Sequence, residues 1–145
     1  MDLVMMNHNI NMYDWLLSDE AMSRHLDFET PINMPGGEED SGMTPMNAIE
    51  PKDVKLLVAY DQNGLNAGSL LFRRSEWLDI MLDLWVDPIA IAQDWGFAEQ
   101  DGLVHMIREF DYIKNHTGFV SQKAINEYYF MYTPGDFLVH FAGCR

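Results

Sequence analysis

Asp61, Asn63, Asn66, Ala67 and Gly68 stand close together in a stretch that also holds Gly64, and they are the residues best suited to meet a polar ligand. Small side chains let a ligand approach the backbone, while amide and carboxylate groups suit a ligand rich in hydroxyls. Glu99 and Gln100 form a second candidate pair at the head of a segment in which Leu103, Met106, Ile107 and Phe110 repeat at helical spacing. Taken alone, they read as a helix-capping carboxylate and its neighbour. His140 interrupts the apolar run from Phe137 to Phe141, where a histidine is usually a satisfied core residue. Asp2, taken alone, is a charged residue near a frayed terminus, and Gly143 and Arg145 lie at the far end of the chain.

The elements that must position these groups follow from periodicity and breakers. Leu3 to Met6 reads as the end of a buried strand, and Met12 to Leu26 as one or two short helices capped near Ser18. Residues 27–52 carry four prolines, with Gly36, Gly37 and Gly42 and an acidic patch at Glu38, Glu39 and Asp40, so they read as a flexible surface loop. The spacing of those acids does not match an EF-hand. Val54 to Tyr60 is apolar almost throughout and reads as a strand buried on both faces, which delivers the chain to Asp61. A loop through Asn63 to Gly68 then leads to a strand from Ser69 to Phe72. Ser75 is a candidate cap for a helix whose apolar face is Trp77, Ile80, Met81, Leu84 and Trp85. Asp87-Pro88 opens a short helix that ends near Gly96. Gly118 to Gln122 and Ile125 to Phe130 read as short strands. Tyr128, Tyr129, Phe130 and Tyr132 suit either core packing or a stacking platform, which for the family resembled below would take a sugar, with packing favoured because aromatics dominate cores.

Composition limits the partners. With 145 residues and 48% hydrophobic side chains the chain makes one domain with a sizeable core. A net charge of -14 with nine Lys plus Arg argues against a nucleic-acid partner, which needs a basic patch. The single Cys144 excludes an internal disulfide. The sequence contains no run of about eighteen apolar residues and no basic leader, so it shows neither a membrane anchor nor a signal peptide.

The stretch Asp61 to Trp77, DQNGLNAGSLLFRRSEW, resembles the central motif of glycosyltransferase family 34, which holds fungal galactosyl- and mannosyltransferases and plant xyloglucan xylosyltransferases. Asp2 to Asn7, Glu99 to His105, Gly135-Asp136-Phe137 and Val139 to Arg145 agree with it in the family's order. The resemblance implies an α/β fold: the C-terminal part of a GT-A-like nucleotide-sugar transferase, a mixed sheet with flanking helices, lacking the N-terminal nucleotide-binding strands. Residues 1–145 would then be a single partial domain, expected to be inactive alone.

What the resemblance implies for the site is specific. Asp2 fits the second aspartate of an Asp-x-Asp metal motif whose first aspartate would lie one residue before the chain begins, and His140 matches the histidine that completes the site. The ion would be Mn²⁺ or a similar divalent cation. Asp61, Asn63, Asn66, Ala67 and Gly68 would line the donor sugar and the acceptor, together with Gly143, and Arg145 would hold the diphosphate. Glu99 and Gln100 would face the anomeric carbon, with Glu99 standing where plant relatives carry Asp. The implied activity is transfer, with retention, of galactose or mannose from a UDP- or GDP-linked sugar to a glycan on a glycoprotein or polysaccharide. The implied setting is the lumenal side of the Golgi membrane, in association with related transferases. The competing reading is a non-catalytic module that binds glycans or nucleotide sugars, or a non-functional remnant.

Overall fold

The computed structural model describes residues 3–33, 43–44, 47–96 and 99–142. At its centre lies a mixed three-stranded sheet of β4 (Leu56–Asp61), β5 (Gly64–Phe72) and β6 (Thr117–Ser121), in the order β5-β4-β6. β4 runs antiparallel to β5 and parallel to β6. Side chains on β4 alternate between two cores, as strand geometry requires. Leu56 and Val58 face a cluster with Trp77, Met81, Leu103, Met106, Ile107 and Phe119. Leu57 and Ala59 face another with Leu16, Met22, Val54, Val120 and Ile125. Burial on both faces explains why Val54 to Tyr60 is apolar almost without interruption.

The first core is supplied by α2 (Glu76–Trp85) and α4 (Glu99–Glu109), with the short α3 (Pro88–Ile91) between them. Asp87 caps α3 through a 2.8 Å bond from the Ile89 backbone N–H. Ser75 occupies the N-cap position of α2, but its hydroxyl donates to the Arg73 carbonyl and makes no cap. Of the apolar face expected on α2, Trp77 and Met81 are buried while Ile80 and Leu84 are exposed. The other core is closed by a π-helix at Tyr13–Leu17 and by α1 (Asp19–His25), whose N-cap Ser18 accepts from Ala21 N. Within the stretch read as a loop, β2 (Ile32–Asn33) and β3 (Met43–Thr44) pair antiparallel, and Pro51–Asp53 forms a 3-10 turn.

Three expectations are corrected. The strand read from Ile125 to Phe130 does not form: α6 (Gln122–Ile125), following the four-residue α5 (Asp111–Lys114), leads into an isolated bridge between Tyr128 and His140. The first strand, β1 (Leu3–Met5), is not buried: it pairs with β7 (Leu138–His140) and leaves Val4 and Met5 exposed. The loop expected through Asn66 to Gly68 belongs to β5, which begins at Gly64. No described helix is long and apolar enough to cross a membrane.

Candidate active site

β4 ends on Asp61, and the chain reverses over Gln62 and Asn63 into β5. Gly64 makes that reversal possible: its φ of +110° is open to glycine, and a Cβ there would fall 1.9 Å from the Asn33 carbonyl oxygen. The Asn63 N–H donates to Asp61 Oδ1 at 2.7 Å, so Asn63 is held by its backbone while the residue itself is exposed. Register then breaks. Asn66 pairs with Ala59, and the next residue of β4, Val58, pairs with Leu70, so Ala67, Gly68 and Ser69 form a bulge on β5. Bulges re-aim side chains and backbone next to sites.

Asn66 organises the bulge. It is 8% exposed, and its Nδ2 donates to Asp61 Oδ2 at 2.8 Å and to the Tyr128 hydroxyl at 2.9 Å. The Tyr128 hydroxyl donates in turn to Asp61 Oδ2 at 2.6 Å, closing a three-membered ring. Asn66 Oδ1 accepts from the Gly68 N–H at 2.9 Å. Burial, the hydrogen bond to Asp61 and its negative charge together push the Tyr128 hydroxyl up to about 12, so it remains a neutral donor. Sequence reasoning placed Tyr128 among packing or stacking aromatics and missed this role. Its neighbours Tyr129 and Phe130 are exposed, and Tyr129 stacks on Phe141 with ring centroids 5.8 Å apart.

Gln100 joins the same assembly. Its Oε1 accepts from the Ala67 N–H at 3.0 Å, tying the first turn of α4 to the bulge. Glu99 is separated from it: its backbone carbonyl accepts from Trp85 Nε1, and it lines a cleft between α2, α3 and α4. His105, on the same helix, faces that cleft against Trp95, with ring centroids 5.5 Å apart. The pair read together in the sequence therefore serves two neighbouring compartments.

His140 is 7% exposed, and its backbone N–H donates to the Glu127 carbonyl at 2.6 Å. Burial pushes the Glu127 carboxyl up, against the pull of Lys123. A Cβ on Gly68 would lie 2.2 Å from His140 Cε1, so the bulge rests directly on the imidazole. The Tyr128 and His140 rings lie 5.9 Å apart. Asp61, Asn66, Ala67, Gly68, Gln100 and His140 thus form one connected set, with Tyr128 added. Asp2, Gly143 and Arg145 lie outside the described residues. Leu3, which follows Asp2, is the cross-strand partner of His140. Among the described residues, no three His, Cys, Asp or Glu side chains group closely enough to hold a metal ion.

Comparison with known proteins decides the family. The sequence profile of the galactosyl transferase GMA12/MNN10 family matches residues 1–145. The chain belongs to that family. An α-1,2-galactosyltransferase of Schizosaccharomyces pombe is 34% identical over 99% of this chain and 40% of its own length. An uncharacterized α-1,2-galactosyltransferase of the same yeast is 37% identical over the same shares. A probable α-1,6-mannosyltransferase of Saccharomyces cerevisiae, MNN10, is 30% identical over 65% of this chain and 28% of its own. The chain spans 40% of the length of the first two of these curated relatives. No solved structure gives a significant match. Within the GMA12/MNN10 family, a family of glycosyltransferases, the mixed sheet and its helices agree with a GT-A-like fold.

Proposed function

We propose that this chain carries the sugar-binding and reacting half of a retaining hexosyltransferase that moves galactose or mannose from a nucleotide sugar to a glycan acceptor. The observation that carries this reading is the bonded set Asp61–Asn66–Tyr128 with Gln100 Oε1 on the Ala67 N–H, at the carboxyl end of the parallel pair β4 and β6. Ligands of open α/β sheets lie beyond the carboxyl ends of such strands. The names of the relatives favour galactose or mannose over other sugars.

The roles combine this geometry with the family resemblance, which alone supplies those of Asp2, Glu99 and Arg145. Asn66 and Asp61 present a preorganised amide oxygen and carboxylate to sugar hydroxyls, and Tyr128 holds both rigid without itself ionising. Gln100 fixes the bulge, so that Ala67 and Gly68 offer backbone to the sugar at a set height. Glu99, in the neighbouring compartment, places a carboxylate beside the reacting carbon, where negative potential stabilises an oxocarbenium-like centre. His140 and Asp2 would hold the divalent cation, since His140 lies in β7 opposite Leu3, one residue on from Asp2. When bound, the ion supplies a Lewis acid for the departing nucleoside diphosphate. Arg145 would hold the phosphate oxygens through paired hydrogen bonds. In this reading the enzyme works on the lumenal side of the Golgi membrane, beside related transferases.

The test is a hybrid in which this chain replaces the matching 40% of the S. pombe α-1,2-galactosyltransferase. Release of UDP from UDP-galactose, or GDP from GDP-mannose, is measured with and without Mn²⁺ and an oligomannose acceptor. Acceptor-dependent turnover is the expected result. A folded hybrid that binds sugar without transfer would favour a binding module. His140→Ala should raise the Mn²⁺ concentration for half-maximal binding at least about tenfold, and an unchanged titration would remove His140 from the ligand set.

A further inference from the structure

The cleft that Glu99 lines is larger and more apolar than a sugar site requires. It encloses about 970 Å³ between α2, α3 and α4, and its walls include Leu82, Leu84, Trp85, Met106 and Phe110. Ile89 and Ile91 stand on its rim at 75% and 64% exposure. Apolar surface gathered in this way marks a site where another apolar surface is buried. The acidic side chains that line it, Asp87, Asp94 and Glu99, are all exposed, and from Ser75 to Ile107 the chain has no Lys or Arg.

Those two properties select the occupant. A bilayer surface carrying anionic lipids is repelled by such a rim. A second copy of this chain, itself at a net -14, is repelled as well. A neutral glycan could stack on Trp85, Trp95 or Phe110 but would leave the exposed Ile89 and Ile91 and the lining carboxylates unmatched. An amphipathic helix whose apolar side fills the groove while lysines and arginines meet the surrounding carboxylates satisfies both, and helices are commonly bound in this way. We propose that the α2–α4 cleft is a docking groove for a cationic amphipathic helix of a partner protein. The groove is continuous with the candidate site through adjacent residues, since Gln100 touches the bulge and Glu99 lines the groove.

The experiment titrates the chain by calorimetry with a synthetic peptide of leucines at i, i+3, i+4 and i+7 and lysines elsewhere. A scrambled peptide of the same composition, vesicles with and without phosphatidylserine, and an oligomannose serve as competing probes. The expected result is micromolar binding of the amphipathic peptide, at least about tenfold tighter than the scramble and weakened by raising salt from about 50 to about 300 mM. Ile89→Asp with Ile91→Asp should abolish it, and both positions are exposed enough to leave circular dichroism unchanged. Asp94→Lys, on the groove wall, should weaken it at least about tenfold through charge alone, and this variant decides the matter if the isoleucine variant misfolds. Equal affinity for the scramble, full affinity in the charge-reversed variant, or saturation by vesicles or oligomannose in place of the peptide would each overturn the proposal.

Discussion

Gly68 and His140 touch across two strands that are 72 residues apart in the chain: a methyl group on the glycine would come within 2.2 Å of the imidazole Cε1. The buried ring cannot swing into solvent without breaking the packing of β7. Gly68→Ala is therefore expected to destabilise the fold by about 1–3 kcal/mol, the usual range for overpacking, and to lower transfer more than stability alone explains. Urea denaturation and turnover of the same preparation separate the two. A variant as stable and as active as the parent would show that His140 has room to move.

Tyr128→Phe deletes a hydroxyl that donates to Asp61 and accepts from Asn66. One lost bond to a charged group sets the scale, about 1.5–3 kcal/mol. The expected outcome is a lower urea midpoint with an unchanged slope. The pH dependence has a definite sign. The folded hydroxyl titrates near 12 against an ordinary value of 10, so its contribution is complete below pH 10 and is lost as pH rises toward 12. The phenylalanine variant should lose that part of the alkaline decline.

On the proposed function, Asn66→Ala should reduce transfer by at least about tenfold, because it breaks the bonds to Asp61, Tyr128 and Gly68 that order the site, roughly 1.5 kcal/mol. Gln100→Ala should act on the same step by a different route. It leaves the Ala67 N–H without its acceptor and loosens the bulge, so KM for the donor should rise with little change in thermal stability. Glu99→Ala should leave donor KM unaltered and lower kcat. Parallel effects of the two substitutions on KM would show that Glu99 and Gln100 share one compartment after all.

Asp27, bonded to the Tyr60 hydroxyl, offers a second pH test. Burial pushes its carboxyl up, but the hydroxyl of Tyr60 at 2.5 Å, both donors of Thr30 and the Glu29 N–H outweigh that and hold it down to about 2. A depressed carboxyl stabilises the fold above its ordinary value near 3.8, and the contribution is lost as pH falls from there toward 2. Melting temperature against pH should fall across that window in the parent and more shallowly in Asp27→Asn.

The sequence made the central strand legible, because β4 is buried on both faces and its apolar run needs no partner to be recognised. The α4 pattern and the Asp87-Pro88 start were legible for the same local reason. Other features depended on distance. Tyr128 reaches Asp61 across 67 positions, and nothing in the aromatic run Tyr128-Tyr129-Phe130 says which ring turns inward. Asn66 and Gly68 have poor strand propensity and so read as a loop, yet pairing with β4 overrides it. Ile80 and Leu84 carry the helical period of a buried face but remain exposed. A hydrophobic stripe reports that something covers it, without saying whether the cover lies in the same fold.

The bulge on β5 makes the candidate site adjustable in length. Val58 stays opposite Leu70 and Ala59 opposite Asn66 whatever lies between them, so Ala67 to Ser69 act as a spacer between two fixed rungs. A residue gained or lost there would change how far the backbone projects from the sheet without shifting any core side chain to the wrong face, the penalty that a slip elsewhere in the sheet would incur. On the proposed function, selectivity for one hexose over another is then set within a three-residue window while the sheet that supports it stays the same.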